Sequence, residues 1–127
     1  GKAPVAAKEV DIKLSISAFI NENYIAEERV RLELYRRLSR CASVHEVLEI
    51  EEEMIDRFGK LDVTTKQFLE MIEIKILATQ KGIVFISNYG QNITCKDDLE
   101  AKTLLQSRSR DDDDIIATVL AYLRKKA

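Results

Sequence analysis

The sequence predicts an α+β fold, helices packed with a small antiparallel sheet, and three observations carry that prediction. Four stretches, about 27–42, 43–59, 63–81 and 111–126, repeat apolar residues at helical spacing. Ile83-Val84-Phe85-Ile86 is rich in β-branched residues and leads into turn chemistry at Asn88-Tyr89-Gly90. Near the start, Val10, Ile12, Leu14 and Ile16 alternate with Asp11, Lys13 and Ser15, the period of a half-buried strand. The architecture expected is a helical hairpin, a long central helix, a β-meander and a C-terminal helix.

Taken in order, Gly1 to Lys8 holds the only proline, Pro4, with several alanines and no periodicity, and reads as a tail or linker. The alternating strand follows and needs partners from later in the chain. Phe19, Ile20, Tyr24 and Ile25 flank the polar triplet Asn21-Glu22-Asn23, as in an ordered loop whose apolar ends pack on a core. A first helix is expected from about Glu27 to Ala42, with Leu34, Tyr35, Leu38 and Cys41 as its apolar stripe and Glu27 and Glu28 at the positive end of its dipole. Its outer face is basic, through Arg29, Arg36, Arg37 and Arg40, although Glu33 lies within reach of Arg36 and Arg37 for ordinary intrahelical pairs.

The second helix carries signals at both ends. Ser43 stands three residues before Glu46, the spacing of a capping box, and Gly59 follows Phe58 in the stop position, where the left-handed conformation suits glycine. Val44, Val47, Ile50, Met54 and Phe58 recur at helical spacing, and Leu48 and Ile55 are expected to widen that stripe. Glu51 projects from the stripe, so it either pairs with a nearby Arg or sits where the core ends. Glu49, Glu52, Glu53 and Asp56 fall at i, i+3, i+4 and i+7, four carboxylates on one face with no base among them. Like charges so spaced cost an isolated helix about 0.2–0.5 kcal/mol per pair. Two readings follow: a solvated face, or a docking surface for an Arg-rich partner.

A third helix is expected over Val63 to Lys81, with Asp62 as N-cap and Gly82 as its stop. Phe68, Leu69, Ile72 and Ile76 lie on one side and Met71, Ile74 and Ala78 on the other, so this is the candidate central helix. Beyond the run at Ile83 to Ile86, Asn92 to Lys96 forms the returning strand. Lys102 to Gln106 is a third strand of the meander or, with Asp97 as cap, part of a short helix from Asp98 to Gln106. The last helix is capped by Ser109 or Asp111. Asp111 to Asp114 and Arg124 to Lys126 complement its dipole, and Ile115, Ile116, Val119, Leu120 and Leu123 form its buried stripe.

Composition narrows the function. The 127 residues make one domain, 46% hydrophobic and 33% charged, and a net charge of −2 gives no overall reason to bind nucleic acid. No apolar run reaches membrane-spanning length and no signal peptide is apparent, so the expected location is cytoplasmic, with Cys41 and Cys95 as reduced thiols. Candidate chemistry is sparse. His45 is the only histidine; Cys41, His45 and Cys95 fall short of a zinc ligand set, and a Cys41–His45 nucleophilic pair conflicts with the place of Cys41 on an apolar stripe. The aspartate run lacks EF-hand spacing. No phosphate-binding glycine loop or nucleophile elbow appears, and the sequence calls for no cofactor.

The run ERVRLELYRRLSRCASVHEVLEIEEEMIDRFGKL, Glu28 to Leu61, resembles the C-terminal domain of the bacterial transcription-repair coupling factors, the Mfd translocases. RLELYRRL, an acidic helix ending in IDRFG, a long helix closed by KGI at Lys81 to Ile83, and the earlier EVDIKL and FINENYI keep the family's order over about residues 9–83. Lys60, Asp62 and Asn21 stand where the family often has prolines. The resemblance implies that residues 9–127 are a single regulatory domain, without a motor motif, of an ATP-dependent DNA translocase that releases stalled RNA polymerase and recruits nucleotide excision repair. It further implies that the domain folds back on the UvrB-like N-terminal module of the same protein and masks the surface that binds UvrA. The family's contact residues include the acidic positions before RFG, here Glu53 and Asp56; Glu49 and Glu52, on the same helix face, are expected to add supporting charge. The competing expectation is a nucleic-acid- or polymerase-binding accessory domain that uses the basic face of the first helix.

Overall fold

The computed structural model describes residues 9–126; the expected tail, Gly1 to Lys8, lies outside them. The elements run β1 (Asp11–Lys13), α1 (Glu28–Ser39), α2 (Val44–Phe58), α3 (Val63–Gln80), β2 (Ile83–Tyr89), β3 (Asn92–Asp97), β4 (Lys102–Gln106) and α4 (Asp112–Lys125). The helices and the β2–β3–β4 meander stand where the sequence places them, and the fold is α+β.

One four-stranded sheet has the order β1-β2-β3-β4. Its meander is antiparallel, but β1 pairs parallel to β2, with Asp11 opposite Phe85 and Lys13 opposite Ser87, so the sheet is mixed. Three helices separate β1 from β2 and return the chain to the end of the sheet where β1 began, as a parallel pairing requires. β1 is also shorter than the alternation from Val10 to Ile16. The Ile16 N–H turns back to the Leu14 carbonyl at 2.8 Å and the Ser15 N–H bonds Asn88 Oδ1 at 2.8 Å, which ends the ladder.

Residues 102–106 are a strand because of what Asp97 does. Its carboxylate accepts from the N–H groups of Leu99 and Ala101 at 2.9 and 2.8 Å, and Glu100 takes a φ of +65°, so the chain reverses tightly into β4 and no helix starts. At the other end of β3, Tyr89 pairs with Asn92 across a two-residue turn in which Gly90 has a φ of +57°. Ser109 rather than Asp111 supplies the side-chain contacts at the start of α4. Its hydroxyl accepts from the Asp111 N–H at 3.0 Å and donates to Asp114 at 2.6 Å.

The two-sided apolar pattern of α3 sets the layering. Ile74 and Ala78 enter a core shared with the sheet (Ile83, Ile86, Ile93, Cys95) and α4 (Ile115, Ile116, Val119, Leu120, Leu123). Leu69 and Ile76, on the other side, enter a second core with Leu34 and Leu38 of α1 and Val47, Ile50 and Met54 of α2. α3 is therefore the central helix. No helix among the described residues is long and apolar enough to cross a membrane.

Candidate functional site

Local chemistry fixes α2 at both ends. Ser43 Oγ accepts from the Glu46 N–H at 3.2 Å, and the Glu46 carboxylate reaches back to the Ala42 N–H at 3.3 Å, one residue beyond the partner of a regular capping box. At the other end Gly59 has φ +89° and ψ −169°. The φ is positive, as the stop signal implies, but the pair lies in the extended glycine-only region and not in the left-handed helical one expected. The Tyr24 hydroxyl donates to the Gly59 carbonyl at 2.6 Å, and the Tyr24 ring meets Phe58 edge-on at 6.1 Å. The Asn21–Ile25 loop thus holds the end of the acidic helix.

The carboxylates Glu49, Glu52, Glu53 and Asp56 do not share one environment. Glu53 faces α1, where Arg37 donates to both of its oxygens at 2.6 and 3.0 Å, and Arg57 adds a third contact at 3.3 Å. The hydrogen bond from Arg37 is the main cause that holds the Glu53 carboxyl below the usual carboxylate range, against a smaller opposing effect of burial. Glu49 lies 2.7 Å from His45 Nε2, both side chains well exposed. Glu52 and Asp56 are exposed at the centre of the outer face. The helix itself places no base among the four, but an arginine from the neighbouring helix, with Arg57 on the flank, occupies Glu53.

Leu48 and Ile55 correct a second expectation. They do not widen the core-facing stripe; they are 44% and 43% exposed and flank Glu52 on the outer side of the helix, away from Glu53. At about 100° per residue they stand closer to Glu52 than to the centre of the buried set Val47, Ile50 and Met54. The outer face of α2 is thus a carboxylate strip, Glu49, Glu52 and Asp56, with an aliphatic margin. Glu51 has no arginine partner and sits where the core ends; burial first, then Glu73 of α3, raises its carboxyl. Glu73 itself pairs with Arg124 of α4 at 3.0 Å.

The other candidates are dispersed. Of the basic residues read on the first helix, Arg37 is engaged with Glu53, while Arg29 and Arg36 of α1 and Arg40 just beyond its end remain exposed. Cys41 Sγ lies against the Arg37 carbonyl at 3.5 Å, burial raises its thiol, and His45 turns to Glu49 instead. Cys95 is buried in the first core, where burial pushes its thiol up to about 11. Among the described residues no group of three or more His, Cys, Asp or Glu side chains is placed to hold a metal ion. What the sequence reading missed was the reach of Arg37 and the exposed Leu48–Ile55 margin. Helical angle alone signals the second; nothing local signals the first.

The TRCF domain family model matches residues 14–106. The transcription-repair-coupling factor of Helicobacter pylori (strain ATCC 700392 / 26695) is 50% identical over 117 residues, covering 92% of this chain and 12% of that protein. That of Staphylococcus haemolyticus (strain JCSC1435) is 34% identical over 87 residues, 68% of this chain and 7% of that protein. A crystal structure of the C-terminal domain of transcription-repair coupling factor superposes with a TM-score of 0.82 at 17% identity, over 92% of this chain and 91% of that one. At that identity the superposition speaks for the fold. The chain spans only a small part of the length of the relatives it matches, and within that part the family model and the identity to the Helicobacter protein agree: the chain belongs to the TRCF domain family.

Proposed function

We propose that residues 9–127 form the non-catalytic regulatory domain of a cytoplasmic, ATP-dependent DNA translocase that couples transcription to nucleotide excision repair. The domain docks the outer face of α2 on the UvrB-like N-terminal module of the same protein and so masks the surface that recruits UvrA. Through the full-length protein it acts indirectly on UvrA recruitment and on the response to stalled RNA polymerase.

The observation that carries this reading is the exposure of Glu52 and Asp56 at the centre of α2, with Glu49 beside them and Glu53 fixed at the margin. Arginines on the partner match carboxylates in geometry and charge, and a strip of exposed carboxylates steers such a surface into register. The Arg37 contact leaves part of the acceptor capacity of Glu53 open, since a carboxylate offers about four lone-pair directions. A latch of this kind needs little energy. Coupling of about 1–3 kcal/mol changes affinity roughly 5- to 150-fold, and tethering within one chain raises the effective concentration of the partner.

The test is closure of this domain on the UvrB-like module joined to it by a flexible linker, read by energy transfer between dyes on the two parts, comparing wild type with Glu52→Arg/Asp56→Arg at low and high salt. Association that weakens with salt and disappears in the variant supports the acidic latch. Equal closure of both chains would leave α2 as a solvated face. Glu53→Arg is a poorer first choice, because it also breaks the pairing with Arg37 within the domain. Arg36→Glu/Arg40→Glu separates the basic-face alternative, in which DNA or polymerase binding falls with those charges and is indifferent to α2.

A further inference from the structure

The helices of the first core cover one face of the sheet, and strand register shows what the other face carries. Asp11, Phe85, Lys96 and Lys102 form one cross-strand row; Lys13, Ser87, Thr94 and Leu104 form the next; Tyr89, Asn92 and Gln106 form the third. All lie in opposite phase to the buried Ile86, Ile93 and Cys95. Tyr89 is 88% and Leu104 72% exposed, and Lys96 Nζ lies 5.1 Å from the centre of the Phe85 ring. The rows contain three lysines and one acid, Asp11, which pairs with Lys13 at 3.8 Å.

A cleft of about 330 Å³ adjoins Tyr89, lined by Gly90, Gln91, Asn92, Gln106 and Arg110. Its wall is fixed in place. The Gln91 amide donates to the carbonyls of Ser107 and Arg108 at 3.3 and 3.1 Å, and Arg110 Nε packs 3.5 Å from where a Cβ on Gly90 would sit. Asn92 and Gln106 face each other at its mouth with amides that both donate and accept.

The geometry points to the open sheet face as a binding surface for a short single-stranded nucleic acid. A base stacks on Tyr89, with its edge toward Asn92 and Gln106, and Lys13, Lys96 and Lys102 follow the sugar-phosphate backbone. Aromatic faces beside a lysine-bearing track are what sequence-tolerant single-strand binding needs. The outer face of α1 has arginines without an exposed aromatic; the sheet face has lysines and the exposed Tyr89. The net charge of −2 does not oppose this, because the acids concentrate elsewhere, on α2, on the β3–β4 turn (Asp97, Asp98, Glu100) and on Asp111 to Asp114. The last two groups bound the face at its ends, with Arg110 bordering both the cleft and the Asp111–Asp114 run, so the bound segment is short. The surface uses no residue of the α2 face, and it stands or falls separately from the docking reading.

The experiment is fluorescence anisotropy of a labelled oligothymidylate of about 12 nucleotides with this chain at about 50 and about 200 mM salt. Wild type is expected to bind at the lower salt and weaken at the higher. Tyr89→Ala, at a solvent-exposed position, is expected to weaken binding about tenfold or more, and Tyr89→Phe to retain it. Lys96→Gln/Lys102→Gln is expected to lower affinity and flatten the salt dependence, while Arg36→Gln/Arg40→Gln changes neither. Absence of binding at the lower salt, indifference to Tyr89→Ala, or equal affinity for a duplex of the same length would overturn the proposal.

Discussion

Arg37 of α1 holds both carboxylate oxygens of Glu53 on α2, at 2.6 and 3.0 Å. The pairing joins two helices that share the core of Leu34, Leu38, Val47, Ile50 and Met54, and it fixes the edge of the acidic face on the side of α1. Both side chains are more than a third exposed, so solvent screens the pair despite its two-pronged geometry. A double-mutant cycle of Arg37→Ala and Glu53→Ala, read by urea unfolding, is expected to give a coupling of about 1 kcal/mol. A coupling near zero would mean that Arg57 alone satisfies Glu53.

Acid should first stabilise this domain and then destabilise it. Burial raises the carboxyls of Glu51 and Glu70 above their usual value of 4.5. Glu51 is opposed by Glu73 and Glu52 and partly relieved by Lys66; Glu70 meets Asp113 and Glu73, relieved by Lys66 and Arg124. Both bind protons in the folded state at a pH where the unfolded chain has released them, so their unfavourable charge disappears as pH falls through the raised values. Glu53 has the opposite sign. Its carboxyl is depressed, so its stabilising charge is present above 4.5 and lost as pH falls through the lower folded value. Urea midpoints at about pH 7, 5 and 3.5 are expected to rise and then fall. Glu51→Gln/Glu70→Gln should raise the midpoint at neutral pH and remove the first rise.

Gly59 tests backbone strain without steric conflict. A Cβ built there meets nothing within 4 Å, yet φ +89° with ψ −169° is a conformation nearly confined to glycine. Gly59→Ala is expected to lower stability by about 1–3 kcal/mol in spite of the open space. Asn, which eases the left-handed helical conformation, should give no rescue here. A measured loss below about 0.5 kcal/mol would show that the turn relaxes, and the bond from the Tyr24 hydroxyl to the Gly59 carbonyl would then lengthen or break.

The sequence is most legible where one side chain decides. The two faces of α3 separate cleanly, since Ile76 and Ile74 stand on opposite sides of the helix and each finds the core its side predicts. Of the four carboxylates read as one face of α2, Glu49, Glu52 and Asp56 lie exposed on its outer side, whereas Glu53 is taken by Arg37. Leu48 and Ile55, expected to widen the core-facing stripe, are 44% and 43% exposed instead, because their helical angle sets them nearer Glu52 than the buried set Val47, Ile50 and Met54. Arg37 had an obvious partner in Glu33 one turn away; only the approach of α2 brings Glu53 to both of its nitrogens. The direction of β1 depends on three intervening helices, which no local pattern in Val10 to Ile16 encodes. The aromatic-lysine face was hidden for a similar reason, since Phe85, Lys96 and Lys102 become neighbours only through strand register.

The exposed pair Leu48 and Ile55 makes the last prediction. If α2 docked through charge alone, the aliphatic margin would be incidental and the complex would dissolve in moderate salt. Binding energy at interfaces concentrates in a few well-packed, fully desolvated side chains, while surrounding charges set register and association rate. Leu48 and Ile55 lie one on each side of Glu52 along the helix, spaced at i−4 and i+3, so a partner that pairs an arginine with Glu52 brings its own surface against both. Leu48→Ala/Ile55→Ala should leave the unfolding midpoint nearly unchanged, since neither side chain is buried in the domain. The same change is expected to speed dissociation from the UvrB-like module and weaken binding by about tenfold or more, with little effect on association rate. Glu52→Gln/Asp56→Gln should do the reverse, slowing association and reducing its salt dependence. Equal effects of the two variants on association rate would remove the distinction between anchor and steering charge.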